Sequence, residues 1–157
     1  MATWDELTAA DPELARAARM LLSFTGAGFA YLATVGRDGG PRIHPINLVW
    51  ADGRLLAFIV PSPKLDDLRR NGRYALHSTG SEDVDDELAI RGTAHEVTDP
   101  ARQAAALAAC PFVPGDDHVL VELDVEQVLW GHYEPRGIFP PQYRRWHARG
   151  SSQGGSR

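Results

Sequence analysis

The chain has 157 residues, 43% hydrophobic and 24% charged, enough for one globular domain with a proper core. A formal charge of −5 argues against nucleic acid as a main partner, and the one cysteine, Cys110, excludes an internal disulfide or a cysteine zinc cluster. No apolar run reaches membrane-spanning length and the N-terminus lacks a signal peptide's basic start and apolar core, so the expectation is a cytoplasmic protein without membrane association.

Residues 1–10 are weakly patterned and read as a lead-in. Asp11-Pro12 opens a helix whose apolar stripe is Leu14, Ala17, Ala18, Leu21 and Leu22, with Gly26 and Gly28 ending it. Strands are predicted at 29–35, 42–50 and 54–60, the last pair joined by an Ala51-Asp52-Gly53 hairpin turn. Pro45 inside the second strand requires an edge or a bulge. The unbroken apolar run Leu55–Val60 predicts a strand covered on both faces. Ser62 as N-cap, Pro63 in the first turn and Asn71-Gly72 as a stop define a short helix, with Leu65 and Leu68 inward.

Residues 73–79 read as a fourth strand and 81–87, SEDVDDE, as a solvated acidic loop. A fifth strand is predicted at 88–97 with a bulge at Gly92, then an alanine-rich helix from Asp99-Pro100 to Cys110-Pro111, where Cys110 packs as a small hydrophobe. Residues 118–125 alternate, with Val119, Val121, Leu123 and Val125 on one face of a half-buried strand that extends toward Trp130. From Glu134 the chain is rich in proline, arginine and aromatics, with no strand predicted, and 150–157 reads as a disordered tail behind a single domain at 1–149. About six mostly antiparallel strands with flanking helices make an α+β fold around a small barrel. A barrel of that size is filled by its own side chains, so a ligand binds outside it, most naturally between subunits.

Lys64 is the only lysine in the chain and stands in the first turn of its helix. That end of a helix is partly positive and favours acidic side chains, so a cation there works against the local field unless an anion lies between them. Helix N–H groups, the Ser62 hydroxyl and the Lys64 ammonium together make a phosphate site. The alternative is a solvated lysine on a surface helix.

The run LATVGRDGGPRIHPINLVWADGRLLAFIVPSPKLDDLRRNGRYAL, within 29–95, resembles the pyridoxamine 5′-phosphate oxidase-like family of FMN-binding split barrels. The shared features are PxxxVW in the second strand, SxK after the third, and LRRNxR. The resemblance implies a split β-barrel homodimer with FMN bound between the subunits. By position, Arg42 approaches the flavin phosphate, and the backbone of Ile43, His44, Pro45, Ile46 and Asn47 runs beside the flavin ring. Ser62 and Lys64 hold the phosphate. Phe58, with Ala57, stands where the vitamin oxidases have a tyrosine–threonine pair on the flavin. Asn47 replaces a lysine, Pro63 an arginine, and Glu87 stands near the place of a glutamine, so the site has fewer polar contacts than in those enzymes.

Arg145-Trp146-His147-Ala148-Arg149 has the RxHxR spacing that those enzymes use for substrate phosphate, although an interface role fits this tail as well. His44 either hydrogen-bonds cofactor or substrate or faces solvent. His77, His95, His118 and His132 lack metal-ligand spacing and read as structural, and no catalytic acid–base pair is assigned. The function implied is an FMN-dependent oxidoreductase acting on a small molecule. The alternatives are a reductase using the deazaflavin coenzyme on the same fold and a non-catalytic flavin or haem binder.

Overall fold

β1 (Gly28–Val35), β2 (Pro41–Ala51) and β3 (Arg54–Ile59) form the expected antiparallel meander. The β2–β3 turn has Asp52 at φ 48° and Gly53 at φ 68°, the paired positive angles that an Asp-Gly hairpin supplies. The computed structural model describes residues 1–24 and 26–150. The tail from Ser151 on, read above as disordered, lies outside the described residues.

β4 (Arg73–His77) pairs with β1, β5 (Glu87–Glu96) with β4, and β6 (Val119–His132) with β5. The first residues of β6 pair back onto β3, which closes a six-stranded antiparallel barrel. Leu32, Leu48, Leu55, Leu76, Ile90 and Val121 fill it. α2 (Pro12–Leu21) and α3 (Pro63–Asn71) cover the core with Leu14, Leu21, Leu65 and Leu68. Full burial of Leu65 or Leu68 contributes about 1.5–3 kcal/mol toward holding α3 in place. Gly72 ends that helix at φ 69°, a left-handed cap that glycine adopts without strain. α4 (Pro100–Ala109) covers a smaller exterior cluster of Val49, Leu56, Val97, Ala106 and Leu120, with Cys110 packed against it. β3 is therefore covered on both faces, as its apolar run required. The predicted bulge is present, since the β5–β6 register shifts between Arg91 and Gly92, and a Cβ at Gly92 would overlap the Asp124 carbonyl.

Four elements differ from the sequence reading. The lead-in contains a helix, α1 (Trp4–Ala10), opened by a capping box in which Thr3 and Glu6 cap each other's backbone N–H. A seventh strand, β7 (Gln142–His147), pairs with Gln127–His132 of β6. β6 is buried on both faces rather than one, because its outward Glu122 is 1% exposed and held by Arg54 and Arg102. The acidic loop is not merely solvated. Asp86 accepts hydrogen bonds from Trp130 Nε1 (3.0 Å), His132 Nδ1 (2.8 Å) and the Tyr133 amide (2.9 Å). Asp85 accepts from the Gly137 amide at 2.7 Å and pairs with Arg136. Among the described residues no helix is long and apolar enough to cross a membrane.

Candidate functional site

The barrel is split between β2 and β3. Their pairing runs from Ala51↔Arg54 only as far as Val49↔Leu56. Beyond that, Pro41–Leu48 pairs with β1 alone, and Ala57–Ile59 pairs with β6 alone. One edge of β2 is thus open along most of its length. Pro45 sits there, where a residue without an N–H is tolerated, as the sequence required.

Along β2 the side chains alternate. Ile46 and Leu48 enter the core, and Arg42 and His44 continue the same inward row beyond it toward α3. Ile46 is 5% exposed, so its side chain is not available to a cofactor. Ile43, Pro45 and Asn47 face outward and are exposed. Ile43 and Pro45 lie beside Ala33 and Tyr31 of β1 by register. Phe58 turns to the α4 side, against the exterior cluster, while Ala57 on the opposite face is wholly in the core. The fold therefore gathers Arg42, His44, Ser62 and Lys64 around the start of α3 and directs the Phe58 side chain elsewhere.

Charge at that point is left uncompensated. Lys64 makes no hydrogen bond or ion pair among the described residues. The Ser62 hydroxyl occupies the N-cap position without capping, and donates instead to the Val60 carbonyl at 2.8 Å. Pro63 has no N–H, and Asp66 donates the bond to the Ser62 carbonyl (3.1 Å), so the amides of Lys64 and Leu65 precede the helix's own ladder. Among the described residues His44 Nε2 is buried without a hydrogen-bond partner, as is Trp50 Nε1 elsewhere, packed beside Trp4. Burial, then the charges of Lys64 and Arg42, push the His44 pKa below its usual value and keep the ring neutral. A phosphate fits this place, with an ammonium, two free amides and a turnable hydroxyl at the positive end of a helix.

Three residues that the sequence reading passed over join the site. Thr34, Asp67 and Arg70 form a hydrogen-bonded group under α3, and Arg42 Nε lies 3.5 Å from Asp67 Oδ2. Burial would raise the Asp67 pKa, but hydrogen bonds from Thr34 and Arg70 and the Arg42 charge outweigh it and hold the carboxyl below its ordinary value. Asp67 was legible only as one of two adjacent acids on a surface helix. Its spacing of three from Lys64 sets the two on one flank of α3, but nothing in the spacing marks Asp67 as covered. The late motif is placed differently: β7 uses the half of β6 that β3 does not, and its neighbour Arg144 is tied to Asp11 at 2.7 Å and to Glu13.

With this geometry in place, the chain can be compared with known proteins. The sequence model described as pyridoxamine 5′-phosphate oxidase matches residues 17–129. The chain belongs to this family. The matched span includes the split, α3 and most of β6, but neither α1 nor β7. Solved structures of low identity share the family's fold. A heme binding protein from Mycobacterium smegmatis is 16% identical with a TM-score of 0.62, over 82% of this chain and 56% of that one. The chain thus spans little more than half of that protein. A protein from Clostridium acetobutylicum related to general stress protein 26 of B. subtilis is 14% identical, TM-score 0.59, over 90% of this chain and 94% of that one. An F420 reductase is 23% identical, TM-score 0.51, over 64% of this chain and 87% of that one. No curated protein matches the sequence.

Proposed function

We propose that this member of the pyridoxamine 5′-phosphate oxidase family binds FMN along the open edge of β2 and acts as an oxidoreductase on a small molecule. The observation that carries the reading is Lys64, a cation without an anion among the described residues, at the positive end of α3. Lys64, Ser62 and the first α3 amides hold the phosphate, with the Arg42 guanidinium beside them. Ile43, Pro45 and Asn47 give the ring an edge of backbone and uncharged side chains. His44 stays neutral and offers Nε2 for a hydrogen bond. A bound flavin supplies hydride or electron transfer, and the protein supplies position and access.

The reading includes a homodimer. Tyr31, Val35 and Ile43, exposed by 46%, 37% and 70%, share the outward face of β1 and β2 beside the split. Singly such residues are ordinary, but together on an uncovered sheet face they suit a second copy of the chain.

A second reading, the deazaflavin coenzyme in the same place, is favoured by Ala57 and Phe58. One is in the core and the other turned to α4, so neither side chain gives a polar contact specific to FMN. The similarity of fold to an F420 reductase is consistent with it.

The test is a visible absorbance titration of purified protein with FMN, the deazaflavin coenzyme and haem separately, followed by reduction assays with nicotinamide cofactors. FMN bands perturbed on binding, and bleached by the reductant, support the first reading. Binding of the deazaflavin alone moves the protein to the second. Haem alone contradicts both, and a monomer that still binds cofactor by sedimentation contradicts the dimer.

A further inference from the structure

Asp67 lies one turn along α3 from Lys64 and is 4% exposed, beneath the helix and against the β1–β2 pair. Its surroundings are donors. Thr34 Oγ1 donates to Oδ2 at 3.0 Å, and Arg70 Nη2 donates to Oδ1 at 3.0 Å. Arg42 brings Nε to within 3.5 Å of Oδ2. Thr34 and Arg42 are cross-strand partners, so both reach the carboxylate from the same row of the sheet. Arg70 also donates to the Val35 carbonyl, which fixes it against the end of β1.

Burying a carboxylate is costly unless its partners are well placed, and here that cost is taken three residues from the uncompensated lysine. A guanidinium is a planar fork. Engaged on its Nε side, it keeps its end-on pair of N–H groups, one on each terminal nitrogen, for a second partner. The Arg42 side chain is 42% exposed, so it is within reach of a ligand. Two parallel N–H groups in one plane are the arrangement that grips a phosphate by two oxygens.

We propose that Asp67, itself set by Thr34 and Arg70, is a positioning residue that aims the Arg42 guanidinium at the cofactor phosphate. This rests on the reading of Lys64 as a phosphate ligand. Two other roles for Asp67 make different predictions. A purely structural tie between α3 and β1 would matter equally for any ligand. A bare counter-charge would repel the phosphate, so that its removal would tighten binding.

FMN and riboflavin separate these roles, because they share ring and ribityl chain and only FMN carries the phosphate. Asp67→Asn keeps the shape and an acceptor and removes the charge. FMN affinity, read by fluorescence quenching, is expected to fall about tenfold, the scale of a charge-assisted hydrogen bond, with riboflavin affinity unchanged. Thr34→Val, which removes only the hydroxyl, is expected to give a smaller loss with the same selectivity, and it decides the matter if Asp67→Asn does not fold. Equal losses for both ligands, or tighter FMN binding, would overturn the proposal. Lys64→Ala in the same assay tests the reading beneath it. If Lys64→Ala is selective for FMN and the Asp67 and Thr34 variants are not, the phosphate site stands and the positioning role falls. If Lys64→Ala is not selective either, both fall.

Discussion

The acidic loop at 81–87 and the start of α3 treat charge in opposite ways. Asp85 and Asp86 are met by Arg136, His132, Trp130 and two backbone amides, so the loop fastens the chain after β6 to the barrel. Burial would raise the Asp86 pKa, but those bonds outweigh it and hold the carboxyl below its usual value. At α3, by contrast, Lys64 has no anion and His44 Nε2 no partner among the described residues. Charge that a fold satisfies internally serves the fold. Charge left unsatisfied at the mouth of an open strand edge is free to serve a ligand. The split between β2 and β3 makes the second region possible, since a fully paired barrel would leave no edge there.

The contrast makes four measurable predictions. Asp86→Ala strands three donors and should cost stability on the order of 3 kcal/mol, read by denaturant unfolding, while the folded protein keeps its cofactor affinity. A loss of affinity with stability intact would reverse the two regions' roles. Lys64→Ala should do the opposite, weakening FMN binding by about 1.5–3 kcal/mol with the unfolding midpoint unmoved. Ser62→Ala is subtler. Because the hydroxyl does not cap α3, stability should stay within about 0.5 kcal/mol, less than a true cap would cost, while FMN affinity drops by about 1 kcal/mol. A cap-sized loss of stability would show that the hydroxyl turns to the helix in solution.

The smallest effect is in pH. The hydrogen bond to Asp86 raises the His132 pKa, with Glu134 adding to it. Stability from this pair is therefore full below the ordinary histidine range and is lost as pH rises through the raised value. An NMR titration should place His132 above the ordinary value, and Asp86→Asn should bring it back. An ordinary His132 value in the unaltered chain would mean that the loop is not fastened by charge.

The barrel's first half could be read from residues because its signals are local. Asp52-Gly53 makes a turn, Leu55–Ile59 makes a doubly covered strand, and Ser62-Pro63 to Gly72 marks a helix. The resemblance to the oxidase family rested on that same stretch, and the matched span contains it. What escaped depended on partners distant in sequence. β7 is mostly exposed and polar and becomes a strand only because β6 outruns β3. Glu122 and Asp124 gave β6 the alternation of a half-buried strand, yet Arg54, Arg102 and His95 cover them. α1 is the exception, since Thr3 and Glu6 spell a capping box within four residues.

In the site, Lys64 was legible because a lysine in a helix's first turn conflicts with the helix's own field. Asp67 was not, because an acid beside another acid on a short helix looks solvated until Thr34 and Arg42 are brought to it from β1 and β2.

The central claim is that the start of α3 binds a phosphate. It is tested most directly by titrating the unaltered protein with FMN and with riboflavin and following fluorescence. The account predicts saturable quenching of FMN and an affinity for riboflavin at least about tenfold weaker. Equal affinity for the two, or no binding of either FMN or the deazaflavin coenzyme, would contradict it and leave Ser62 to Lys64 as the opening of an ordinary surface helix.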